Sequence, residues 1–138
     1  MKLTRRDTLL MAMGTAVVGL MPARAFAAVE DDIAAFTGGA EVGTAGITLV
    51  APEIAENGNT VPIEVDAPGA EAIIILAAGN PTPAVATVNF GPLAASQSAS
   101  TRIRLAGTQD VIAIARMPDG SFVQASAEVK VTIGGCGG

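Results

Sequence analysis

From residue 47 onward, apolar side chains recur at every second position in short runs, and Gly, Pro, Asn or Asp separates one run from the next. A period of two sends alternate side chains to opposite faces of an extended strand, whereas a helix needs a period near 3.6. In "TVPIEVDAP", Val61, Ile63 and Val65 fall on one face and Glu64 and Asp66 on the other. In "GITLVAP", Ile47 and Leu49 alternate with smaller or polar neighbours, and in "STRIRLAG", Ile103 and Leu105 face away from Arg102 and Arg104. The cleanest case is the last run, where the odd-numbered residues from Val123 to Ile133 are Val, Ala or Ile and the even-numbered ones from Gln124 to Thr132 are polar. "AIIILAA" (72–78) is apolar on both faces, which predicts the most buried strand. "AVATVNF" and "DVIAIAR" supply two more strands, and "MPDG" (117–120) is a turn in which Pro118 presets one dihedral and Asp-Gly accepts the rest. Short strands at a spacing of about 8 to 12 residues predict an all-β chain, an immunoglobulin-like antiparallel β-sandwich in one domain.

One segment breaks the period. In "AAVEDDIAAFTGG" (27–39), Val29, Ile33 and Phe36 have helical spacing. Glu30, Asp31 and Asp32 would then sit in the first turn, where the helix dipole favours negative charge, and Gly38 and Gly39 would end the helix. This predicts a short N-terminal helix covering one face of a sheet.

Composition narrows function. Half the residues are apolar, yet the chain has no Trp, Tyr or His and only four Phe. Without His it lacks the usual general base near neutral pH and the commonest metal ligand. A single Cys cannot make a zinc site of the usual ligand set, and a Ser–His or Cys–His nucleophile pair is excluded within this chain. No metal site, no resident cofactor and no independent enzyme activity are expected.

Residues 1–27 read as an export signal. Lys2, Arg5 and Arg6 precede an apolar run from Leu9 to Met21, and Ala25 and Ala27 give a small-residue cleavage pattern before Ala28. The apolar run is short and contains Gly and Thr, which argues against a permanent membrane span. The adjacent Arg5 and Arg6 in "TRRDTLL" resemble the twin-arginine export signal, with Thr8 where that pattern prefers a bulky apolar residue. The expected location is the periplasm. Cleavage removes four of the eight basic and one of the thirteen acidic residues, which takes the formal charge from −5 to −8. Such a surface repels phosphate backbones and anionic lipid.

The chain closes on "GGCGG" (134–138), which holds its one cysteine, Cys136. Strand pairing should stop near Ile133 or Gly134, because Gly134, Gly135, Gly137 and Gly138 have no side chain to pack. Glycine loses the most freedom on ordering, so this tail is expected to act as a slim, flexible arm. At roughly 3.5 Å per residue it could carry the thiol on the order of 10 Å from the sandwich. Four readings of Cys136 stand side by side: a small buried hydrophobe, a disulfide to a second chain, an appended tag, or a handle presented to other proteins. Reactive cysteines are normally primed by Lys, Arg, His or a helix N-terminus, and the sequence around Cys136 offers none. The tail therefore reads as a handle whose activation comes from elsewhere. An exported structural protein, crosslinked through Cys136, is the alternative. A ubiquitin-like sulfur carrier shares the terminal Gly-Gly but conflicts with the export signal and the absence of βαβ order.

The terminal GGCGG, on a small β-protein with a twin-arginine-like leader, closely resembles the SoxY family of bacterial thiosulfate oxidation, as does "APEIAENGNTVPIEV" (51–65). That resemblance implies a covalent carrier of sulfur intermediates, attached at Cys136 and given reach by Gly134, Gly135, Gly137 and Gly138. It implies a heterodimer with a SoxZ-like β-sandwich subunit. It implies transient encounters with the haem enzyme SoxAX, the manganese hydrolase SoxB and a molybdenum sulfur dehydrogenase. A dimer of heterodimers linked through Cys136 is a further implication.

Overall fold

The computed structural model describes residues 22–134, with side chains from residue 28 onward. Among the described residues one helix, α1 (Pro22–Thr37), precedes nine strands: β1 (Val42–Gly43), β2 (Thr48–Val50), β3 (Ile54–Asn57), β4 (Val61–Asp66), β5 (Ala72–Ala77), β6 (Ala84–Asn89), β7 (Ser98–Ile103), β8 (Gln109–Arg116) and β9 (Phe122–Ile133). The larger sheet has the order β1-β9-β8-β5-β6, with β3 also paired to β9; the smaller has the order β2-β4-β7. The expected all-β sandwich is therefore present.

Most ladders are antiparallel. The exceptions are β1 and β3, which both run parallel to β9, at Val42↔Phe122 and at Ile54↔Lys130. These two short segments were not readable as partners of the last strand. Consecutive N–H groups of a strand point to opposite edges. The Lys130 N–H donates to the Glu53 carbonyl (2.9 Å), and the next, that of Val131, donates to Thr108 Oγ1 (3.0 Å) just before β8. Strand β9 is thus bonded along both edges.

Two apolar layers account for the doubly apolar β5. Ile73, Ile75 and Ala77 enter the core between the sheets with Val61, Val65 and Val111. Ile74 and Leu76 point the other way, into a second cluster with Ile114 and Phe122 that Ile33 and Phe36 of α1 cover. All six residues of β5 are buried, as 72–78 predicts. Phe36 and Phe122 meet edge to face at 5.8 Å, and the Arg116 guanidinium lies over the Phe36 ring while pairing with Glu71 at 3.5 Å.

Two expectations need correction. First, α1 begins at Pro22, ahead of the expected cleavage point, so Glu30, Asp31 and Asp32 fall inside the helix and its first turn holds no acidic residue. Its end is as expected: Gly38 and Gly39 adopt φ of 66° and 84°, the left-handed region in which a Cβ is strained. Second, Ile133 is 66% exposed despite its place in the inward-facing set. The β8 ladder ends at the Gln109↔Val129 pair, so β9 runs on with less cover. Pro62 sits in the middle strand of a three-stranded sheet, where a missing N–H is normally excluded. It is accommodated because β2 pairs only residues 64–66 of β4, leaving that edge of Pro62 unpaired. The 117–120 turn closes as read: the Met117 N–H bonds the Ser121 carbonyl at 2.8 Å, and the Ser121 hydroxyl and N–H hold the Asp119 carboxyl below its ordinary pKa of 3.8.

Candidate functional site

Of the residues singled out in the tail, Gly134 falls within the described part; Gly135, Cys136, Gly137 and Gly138 lie outside the described residues, as do Arg5 and Arg6 of the leader. What the structure defines is the root from which the tail departs. Strand β9 ends at Ile133, where pairing was expected to stop. The Ile133 carbonyl accepts the Gly58 N–H (2.7 Å), and the Gly58 carbonyl accepts the Leu105 N–H (2.7 Å). The β3–β4 turn thus bridges the end of β9 to the loop that follows β7.

Gly134 then lies against that loop. A Cβ there would collide with the carbonyl oxygen of Ala106, with the carbonyl carbon only 3.2 Å away. Backbone atoms cannot swing aside as a flexible side chain can, so glycine at this position allows the close approach. Beneath the loop lie two buried amides, Asn80 and Gln109, the only buried polar side chains among the described residues besides Thr37. Asn80 Nδ2 donates to the Arg104 carbonyl (2.7 Å), and Asn80 Oδ1 accepts from the Ala106 N–H (2.9 Å) and from Gln109 Nε2 (2.9 Å). Sequence reasoning missed both. Asn80 stands in "GNPTP", which reads as an ordinary turn, and Gln109 opens a strand where a polar residue attracts no notice.

An open groove of about 440 Å³ runs between β6 and β7 beside this root, with Asn59, Asn80, Thr82, Thr101, Arg102 and Arg104 among its lining residues. Arg102 Nη1 reaches Thr60 Oγ1 at 3.4 Å. Two of the four basic residues beyond the leader therefore gather here on an otherwise acidic chain. Among the described residues no group of three or more His, Cys, Asp and Glu could hold a metal ion. The described residues supply, at this end of the molecule, a tight backbone passage at Gly134 and a shallow groove beside it lined by two arginines; in the sequence Cys136 follows two positions later.

A sandwich of two sheets with one helix pressed onto the outer face of the larger is the class of protein that the described residues define. This chain belongs to the SoxY family: the model of the family described as "Sulfur oxidation protein SoxY" matches residues 33–136. Among solved structures it is similar to the sulfur carrier protein SoxY from Chlorobium limicola f thiosulfatophilum, at 36% identity and a TM-score of 0.67, over 78% of this chain and 98% of that one. A superoxide reductase (neelaredoxin) from Ignicoccus hospitalis matches at 20% identity and a TM-score of 0.56, over 64% of this chain and 81% of that one. A putative superoxide reductase from Thermotoga maritima matches at 17% and 0.51, over 70% and 89%. The reductases share the fold alone. A search of curated protein sequences gave no match.

Proposed function

We propose that this protein is a non-catalytic carrier in sulfur oxidation, holding its cargo covalently on Cys136. The observation that carries this reading is that the SoxY match runs through residue 136 of a chain whose only cysteine stands there. The similar structure from Chlorobium limicola is itself a sulfur carrier protein.

In the cycle so proposed, the Cys136 thiol loses its proton and joins the outer sulfur of thiosulfate. Two electrons pass to a haem partner of the SoxAX kind, leaving a cysteine S-thiosulfonate. Water then attacks the terminal sulfonyl sulfur on a manganese hydrolase of the SoxB kind, releasing sulfate and a proton and leaving a persulfide. A molybdenum sulfur dehydrogenase would oxidise that sulfur before a second hydrolysis frees the thiol. The carrier supplies the nucleophile, its presentation and its reach, while base and metal come from the partners. Gly135, Gly137 and Gly138 keep the peptide narrow enough that backbone and one sulfur alone need enter an active site.

A SoxZ-like subunit is the proposed permanent partner. Support for a covered surface comes from exposed Val50 and Ile54 beside a groove of about 290 Å³ lined by Ala51, Pro52 and Pro62. Export by the twin-arginine route to the periplasm rests on Arg5, Arg6 and the Ala25–Ala27 pattern. A route that accepts folded proteins would let a leaderless partner travel bound.

The test is the intact mass of the exported protein before and after a reductant, followed by Cys136→Ser. A reductant-labile sulfane or thiosulfate adduct on the last peptide, lost in the variant, supports the carrier. A bare thiol that stays unchanged with thiosulfate and cell extract transfers the role to a disulfide-linked structural protein.

A further inference from the structure

The network under the tail's root has a use that core stability does not require. Buried amides are costly unless every donor and acceptor is met, and apolar residues of similar size often serve a core equally well. Here the bonds converge on one loop. Gln109 Oε1 accepts the Gly79 N–H (2.8 Å), while its Nε2 donates to the Gly107 carbonyl (2.9 Å) as well as to Asn80 Oδ1. Gly79 has no room for more, since a Cβ there would stand 3.0 Å from that of Gln109. Together the two amides fix the Arg104 carbonyl, the Ala106 N–H and the Gly107 carbonyl, three backbone groups in four residues. Between them, the Leu105 N–H is bonded through Gly58 to the last residue of β9. Gly134 leans on the carbonyl of Ala106.

We propose that Asn80 and Gln109 are positioning residues for the cysteine-bearing tail: they hold residues 104–107 as a rigid abutment for Gly134, so that the tail first pivots beyond Gly134 and not at the end of β9. The purpose of this arrangement rests on the carrier reading, but the abutment itself does not. A fixed root narrows the volume that a short tether sweeps and so raises the effective concentration of its end at a docked partner. Releasing the root would dilute Cys136 among unproductive positions without touching the thiol.

Amide exchange measured on the full chain tests the abutment. Asn80→Ala leaves the Ala106 N–H and the Arg104 carbonyl without their partner and should speed exchange at Gly58 and Leu105 by about tenfold to a hundredfold. The control is Ile74→Ala, which loosens the helix side of β5 and touches no residue of the loop. A nitroxide at position 133 (Ile133→Cys with Cys136→Ser) should give a sharper, more mobile spectrum in Asn80→Ala and keep the parent line shape in the control. Gln109→Ala keeps the Asn80 bonds to Arg104 and Ala106, so it provides the test if Asn80→Ala does not fold, and should give a smaller change in the same direction. Exchange at Gly58 and Leu105 rising no more than in Ile74→Ala, with an unchanged nitroxide spectrum, would overturn the proposal. A wild-type chain that takes up no sulfur would sink the carrier reading instead, and the exchange comparison would still decide the abutment.

Discussion

Gly134 and Gly107 sit in one small patch of backbone and answer differently to the same change. A methyl group on Gly134 meets the Ala106 carbonyl, whereas one on Gly107 meets nothing within 4 Å. Gly134→Ala should therefore cost about 1–3 kcal/mol, the usual penalty for overfilling a site that cannot yield, and Gly107→Ala should be close to neutral. Thermal melts of the two variants check this, and equal melting points would show that the root of the tail has room to move. Proton exchange at the Gly58 N–H, which the Ile133 carbonyl holds, reports whether Gly134→Ala lifts the strand end off its loop.

At the scale of elements, α1 is the cover on a face that a two-layer sandwich leaves bare. Its contribution runs through Phe36 against Phe122, and through Ile33 over the cluster of Ile74, Leu76 and Ile114. Phe122→Ala should destabilise the protein by about 3 kcal/mol and loosen the helix before the sheets. Far-ultraviolet dichroism that shows helix and strand signals melting together at the wild-type temperature would contradict that. The strands were legible where apolar side chains turn to one face and polar ones to the other, which forces the period of two; β4 reads buried-exposed without a break. The doubly apolar 72–78 announced a buried strand, and the helix that explains its second face was legible as well. Invisible were the parallel pairings of β1 and β3 with β9, since two to four residues joined across most of the chain leave no periodic trace. The root of the tail was legible only as glycine. Its tight contact with Ala106, and the buried amides beneath, depend on which loops the fold brings together.

For the whole molecule, charge is the property that reaches furthest. Without residues 1–27 the formal charge is −8, and Arg102 and Arg104 concentrate much of the remaining positive charge at one groove. A carrier of this sign should be drawn to partner enzymes whose entrances are basic enough to collect sulfur oxoanions. Association rates with such partners should fall as salt rises from low to physiological ionic strength, where screening sets in at about 8–10 Å. Stopped-flow rates indifferent to salt would remove steering from the account. On the carrier reading proposed above, the molecule would also have to withstand being held by its tail. A tail gripped in another protein's channel passes any tug straight down β9. That strand is twelve residues long, with β8 along one edge and β1 and β3 along the other. A pull along its axis loads those ladders side by side, in shear, so no single bond takes the force first as in an unzipping hairpin. The strand that leads to the tail is thus laid in between neighbours on both edges like a rope spliced into a cable, and under tension the grip should slip before the anchor gives.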